Sequence, residues 1–204
     1  MRIDNIKLRP GEDEFAKLTQ IASQKLHGRA YLKILKKSLD ARDKDNIRWV
    51  YSIEAEKKPI REEVRAYPQV KSYPRRAIVV GSGPAGLFCA IRLIRAGIRP
   101  TVIERGGKVE ERVVSNRNFF ENKILNADCN VQFGEGGAGT FSDGKLNTQT
   151  KSPLNREVLE IFAEFGAPAE IVYLNKPHIG SDKLREVVVN IRKYIERNGG
   201  EMLF

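Results

Sequence analysis

The stretch that decides the fold is Ala77-Ile78-Val79-Val80-Gly81-Ser82-Gly83-Pro84-Ala85-Gly86-Leu87. Four consecutive apolar residues suit a strand buried in a parallel sheet. Three glycines follow, and then Leu87, Ala90, Ile91 and Ile94 recur with the period of a helix. Each glycine has a mechanical task. Gly81 permits the tight turn out of the strand, Gly83 lets a pyrophosphate approach the main chain, and Gly86 lets the helix pack closely on the strand. The helix start at Pro84 and Ala85, with Ser82 inside the turn, presents unpaired N–H groups and a positive dipole end to phosphate.

Working outward, Gly97 stops the helix, and Pro100-Thr101-Val102-Ile103 begins a second strand that ends in Glu104-Arg105. Glu104 lies 18 residues beyond Gly86, close to the spacing of a carboxylate that accepts from ribose hydroxyls. An acid at that point repels a 2′-phosphate in a poorly screened cleft, which disfavours NADP and leaves FAD and NAD open. Arg105 can stack on adenine or pair with a phosphate, and a solvated arginine is an equal reading.

A charged helix is expected from Val109 to about Leu125, followed by a glycine-rich loop from Phe133 to Lys145. Gly134, Gly136, Gly137 and Gly139 stand there beside Thr140, Ser142, Asp143 and Lys145. Such a loop exposes backbone amides that can nest an anion or lie against a flat ring. Gly136, Gly137, Gly139, Thr140 and Ser142 are therefore candidate cofactor contacts, and a loop that merely turns the chain is the alternative. Ser152-Pro153 reads as a helix start with proline at the first helical position. Leu154, Val158, Ile161, Phe162 and Phe165 form the stripe of that helix, and Gly166 ends it. A further helix runs from Ser181 through Leu184, Val187, Val188, Ile191 and Ile195, and Glu201–Phe204 opens a strand. An apolar edge at that point leads us to expect the N-terminal part of a longer protein.

The region before the deciding stretch is different. Ile6 and Leu8 alternate in a short strand, Asp13 can cap a helix carrying Phe15, Leu18, Ala22 and Leu26, and Trp49, Tyr51, Ile53 and Ala55 alternate as a half-buried strand. Tyr31–Leu39 fits a strand or a helix, and the whole reads as strand–helix–strand–strand. The expected organisation is a small α+β module over residues 1–58, a linker over 59–76, and an incomplete Rossmann-type α/β domain that binds FAD or NAD over 77–204.

The net charge is +10, and 19 basic against 11 acidic side chains place most of it in residues 1–76. A basic front of this kind attracts nucleic acid, an anionic surface or an acidic partner, or only aids solubility. No helix-turn-helix, zinc spacing or aromatic RNA-binding strand supports the first. Hydrophobic residues make up 41% of the chain and charged residues 30%, so a packed core is expected rather than disorder. Two cysteines exclude a disulfide-stapled scaffold and suit a reducing cytoplasm. The sequence shows neither a signal peptide nor a membrane-length apolar run. No residues have metal-ligand spacing, and no nucleophile elbow or pair of catalytic carboxylates is present, so no catalytic residue is named. His178 is structural or exposed more readily than a proton donor, His27 caps the first helix or sits on the surface, and Cys129 lacks a redox partner. Cys89 is expected in the core.

Val79–Leu87 followed by Val102-Ile103-Glu104-Arg105 resembles the FAD-binding start of glutathione-reductase-like flavoproteins, and the Pro84-Ala85-Gly86-Leu87 continuation favours FAD over NAD. Asn130–Leu146, Lys176–Asp182 and Ser38–Arg42 are similar to motifs of the bacterial uncharacterised FAD-dependent dehydrogenases. The resemblance covers nearly the whole chain, and the glycine-rich loop is its most specific part. It implies an FAD-dependent oxidoreductase acting on a small-molecule substrate, with NAD(P)H as a candidate electron donor, and a later segment that contacts the flavin and supplies a substrate domain. The rivals are an NAD-dependent dehydrogenase on the same fold and a non-catalytic nucleotide-binding protein whose basic module docks RNA or an acidic partner.

Overall fold

The computed structural model describes residues 1–60, 74–142, 144–146, 148–152 and 154–204. Most of the expected linker, together with Asp143 and Pro153, lies outside the described residues. The chain divides into two compact units: Met1–Arg65 with Glu170–Pro177, and Ala66–Ala169 with His178–Phe204.

In the first unit, β1 (Arg2–Leu8), β2 (Tyr31–Asp40) and β3 (Arg48–Glu56) form an antiparallel sheet in the order β1-β3-β2, and α1 (Glu14–Leu26) packs on it. Asp13 caps α1 by accepting from Ala16 N at 3.0 Å, and His27 closes it in the left-handed conformation. Leu18 and Ala22 meet Ile6, Leu8, Tyr51, Ile53 and Ala55 in the core. Phe15, expected on that stripe, is exposed, because the buried face of α1 follows Leu18 and Ala22. The ambiguity at Tyr31–Leu39 resolves to strand. A register shift between Ile34 and Lys36 slips the alternation by one place, which is why the apolar residues fit neither period cleanly.

Residues 170–177 add to this sheet from far along the chain. Lys37 N donates to Tyr173 O and Asn175 N donates to Lys37 O, both at 2.8 Å. The buried Lys37 ammonium donates to Glu14 Oε2 at 2.8 Å and lies 4.8 Å from the Trp49 ring centroid. Tyr51 also donates to Glu14, and burial together with that carboxylate pushes the phenol pKa up.

In the second unit, β4 (Arg75–Val80), β5 (Ile98–Ile103) and β6 (Glu201–Leu203) form a parallel sheet in that order. The helix α2 (Pro84–Arg95) makes the crossover between β4 and β5, and α3 (Val109–Asn122), α4 (Leu154–Glu164) and α5 (Ser181–Arg197) follow. Leu87, Ala90, Ile91 and Ile94 of α2 are buried, as are Val79, Val102 and the Leu184–Ile195 stripe of α5. Burial alternates along β4, however: Ile78 and Val80 are 71% and 84% exposed, so only one face of this apolar strand is covered among the described residues.

Cys89, expected in the core, is exposed, because it lies off the face that Leu87, Ala90, Ile91 and Ile94 define. Helix α4 is held to α2 by the Arg92–Glu157 and Arg95–Glu164 ion pairs and by an edge-on Phe88–Phe162 contact. Ile161, Phe162 and Phe165 are buried, whereas Leu154 and Val158 are exposed, so the apolar stripe is used only at its C-terminal end.

Candidate functional site

The first turn is a length of bare main chain. Gly81 sits at φ +92°, a conformation that favours glycine. A Cβ built on Gly86 would run into the Gly81 carbonyl oxygen, so helix and turn approach too closely there for any side chain. Gly83 is the opposite: an added Cβ meets nothing within 4 Å. Gly83 is also the N-cap of α2, with no side-chain cap, and Pro84 and Ala85 after it are exposed. The start of a twelve-residue helix therefore faces open space across a glycine, as anion recognition by a helix end requires.

Ser82 is buried, and it ties the turn to the end of β5. Its N–H and its hydroxyl both donate to Glu104 Oε2 at 2.8 Å, and Gly106 N donates to Glu104 Oε1 at 2.9 Å. Oε2 thus has both its lone pairs engaged, and Oε1 keeps one for a further donor. Burial raises the Glu104 pKa, but the Gly106 and Ser82 hydrogen bonds and the Arg112 charge outweigh that and hold it below the usual carboxylate range. Glu104 is thus an ionised, oriented acceptor beside the turn. Arg105 is exposed, pairs with Asp128 at 3.3 Å and lies 4.7 Å from the Phe133 ring centroid.

The second glycine loop lies against the first. Gly136 N donates to Ser82 O at 2.8 Å. A Cβ on Gly137 would come within 3.3 Å of Gly83 Cα and 3.2 Å of Pro84 Cδ. Gly139 has open space where a side chain would stand. Thr140 begins no outward contact: it is fully buried beside Gly136, and its hydroxyl has no partner among the described residues. Ser142 is exposed and returns its hydroxyl to Gly139 O at 3.0 Å. His178 is exposed and bridges Lys145 through its backbone. A separate cleft of about 980 Å³ opens between α3 and residues 124–129, next to Arg105, and neither glycine segment lines it.

Two residues that shape this region escape the sequence reading. Arg112 of α3 is fully buried and donates to loop carbonyls, and Glu135 of the loop is fully buried and accepts from Val109 N at 2.8 Å. The second Glu135 oxygen lies 3.3 Å from Arg192 Nε without the alignment of a hydrogen bond. Burial pushes the Glu135 pKa up, against the Val109 N–H and Arg192. The available signal was that Val109, Arg112 and Asn116 share one helix face, with an arginine in the middle of the buried stripe.

Two stretches of the chain match known family models. Residues 75–116 match the model of an FAD binding domain, and residues 1–56 match a domain of unknown function, DUF8436. An uncharacterized protein of Clostridium beijerinckii is 40% identical over 227 aligned residues, which take in all of this chain and 42% of the relative. The chain thus spans less than half the length of that relative. The first match supports FAD as the cofactor and a flavoprotein of mixed α/β fold with a parallel sheet. No helix among the described residues is long and apolar enough to cross a membrane, and no group of three or more His, Cys, Asp or Glu side chains among them could hold a metal ion.

Proposed function

We propose that the chain carries the first cofactor-binding segment of an FAD-dependent, dehydrogenase-like oxidoreductase on a Rossmann-type, glutathione-reductase-like fold. The observation that carries this reading is Gly83, where the start of α2 lies open beyond a residue on which an added Cβ would meet no atom within 4 Å. The residues present fit the group. Gly81, Gly83 and Gly86 with Ser82, Pro84 and Ala85 form the diphosphate cradle, and Glu104 accepts from the adenosine ribose hydroxyls. Gly136, Gly137 and Gly139 form the second wall. Thr140 supports that wall from beneath, and Ser142 and Arg105 stand at its margin.

Bound FAD supplies the hydride or electron chemistry. This chain's own residues bind and orient it: the main-chain turn admits the diphosphate, and the ionised Glu104 fixes the sugar. The reading places the protein in the cytoplasm, where Cys89 and Cys129 remain thiols, with a small-molecule substrate and NAD(P)H as candidate electron donor.

The test is the flavin content of the purified full chain, read from absorbance near ~450 nm and from FAD released on denaturation. Gly83→Val is expected to fold normally, since a Cβ there meets no atom within 4 Å and the φ of −66° suits any residue, and to lose FAD. Undiminished FAD in that variant refutes the assignment, and a melting temperature that responds to NAD and not to FAD replaces the cofactor.

A further inference from the structure

Among the described residues, Arg112 is the largest side chain that the fold removes wholly from solvent, at 0% exposure. Its hydrogen-bond partners are carbonyl oxygens rather than a carboxylate. Nη1 donates to Gly134, Glu135 and Gly137, Nη2 to Asn130 and Val131, and Nε to Asn130, at 2.5–3.3 Å. The guanidinium lies 4.5 Å from the Phe141 ring centroid. Gly134, at φ +115°, leaves room for it: a Cβ there would come within 2.5 Å of Arg112 Cδ. The loop is therefore wrapped around this one cation.

The peptide planes show what the wrapping does. A peptide's carbonyl and N–H lie on opposite edges. In the Glu135–Gly136 peptide, the carbonyl accepts from Arg112 and the N–H donates to Ser82 O at 2.8 Å. In the Gly134–Glu135 peptide, the carbonyl again accepts from Arg112, and the N–H donates to Gly107 O at 3.0 Å. Arg112 thus holds one edge of each plane while the other edge is fastened to the phosphate turn or to the loop after β5. Five neutral acceptors orient the guanidinium but do not neutralise it, and Glu104 and Glu135 act on it only through space.

We propose that Arg112 is a positioning residue for the cofactor's diphosphate: it sets the Glu135–Gly136 peptide against Ser82, couples the second glycine loop to the first, and lends a buried positive charge to the anion bound there. This rests on the reading of Gly81–Gly86 as an FAD cradle. Arginine is required because only a planar fork can serve five acceptors at once.

The experiment titrates the FAD-free full chain with FAD by quenching of flavin fluorescence, for wild type, Arg112→Met and Arg112→Lys. Near-UV circular dichroism checks the fold, and amide exchange is followed over residues 134–141 and 184–195. Arg112→Met is expected to weaken FAD binding by about tenfold or more, because buried carbonyls lose their donor. Exchange should quicken in 134–141 and stay unchanged in 184–195. Arg112→Lys, which keeps the charge without the fork, should recover part of the affinity but not the protection of the loop. A folded Arg112→Met variant with wild-type FAD affinity overturns the proposal. If that variant does not fold, Arg112→Lys decides: unchanged affinity and loop exchange overturn the proposal, and weakened affinity in a folded protein supports it. Wild-type protein that takes up no FAD removes the cofactor reading and this inference together, whereas FAD uptake indifferent to Arg112 removes this inference alone.

Discussion

Glu104 stands where the spacing after Gly86 put it, but its surroundings were not legible in that spacing. Its carboxylate is fastened by Ser82 and Gly106, so it braces the turn, a task separate from the proposed contact with a sugar. Because its folded pKa is held below the ordinary 4.5, its ionised form stabilises the native state. That contribution is fully present above the unfolded pKa and is lost as the pH falls through the lower folded value. Glu104→Gln is therefore expected to be less stable than wild type at about pH 7, with the gap closing towards about pH 3. Denaturant midpoints at the two pH values check this; a gap of constant size would mean that the charge contributes nothing.

Among the elements, the helices were the most readable. The stripe of α5 is buried along its whole length, and α2 buries the residues its period marked. The failures have a common cause: periodicity reports which residues are apolar, not which are covered. Leu154, Phe15 and one face of β4 are apolar and exposed, because the packing partner determines how much of a stripe is used. In β2 the bulge between Ile34 and Lys36 broke the two-residue period that would have marked a strand. The contact between β4 and α2 makes a sharper demand at Gly86. Gly86→Ala drives a methyl group into the Gly81 carbonyl oxygen, and we expect destabilisation on the order of 3 kcal/mol, measured by urea unfolding. A loss of only a few tenths would show that helix and turn can move apart at little cost.

At the scale of the molecule, the two units contain different sheets and match different families. The proposed cradle is built entirely from the second. FAD is therefore expected to slow amide exchange in residues 81–87, 104–109 and 134–141 and to leave residues 1–56 unchanged, as read by exchange mass spectrometry. Protection spread over residues 1–56 would give the basic unit a part in holding the cofactor.

The turn, the flanking strand and helix, the acid at the end of β5 and the cap of α1 were determined by the sequence alone, since each rests on residues a few places apart or on a conformation open chiefly to glycine. Tertiary structure decided the rest. The return of residues 170–177 to β2, the seat of Glu104 on Ser82 and the gathering of loop carbonyls around Arg112 join groups distant along the chain. Such contacts depend on where folding places a donor and an acceptor, and no local pattern of polarity records them.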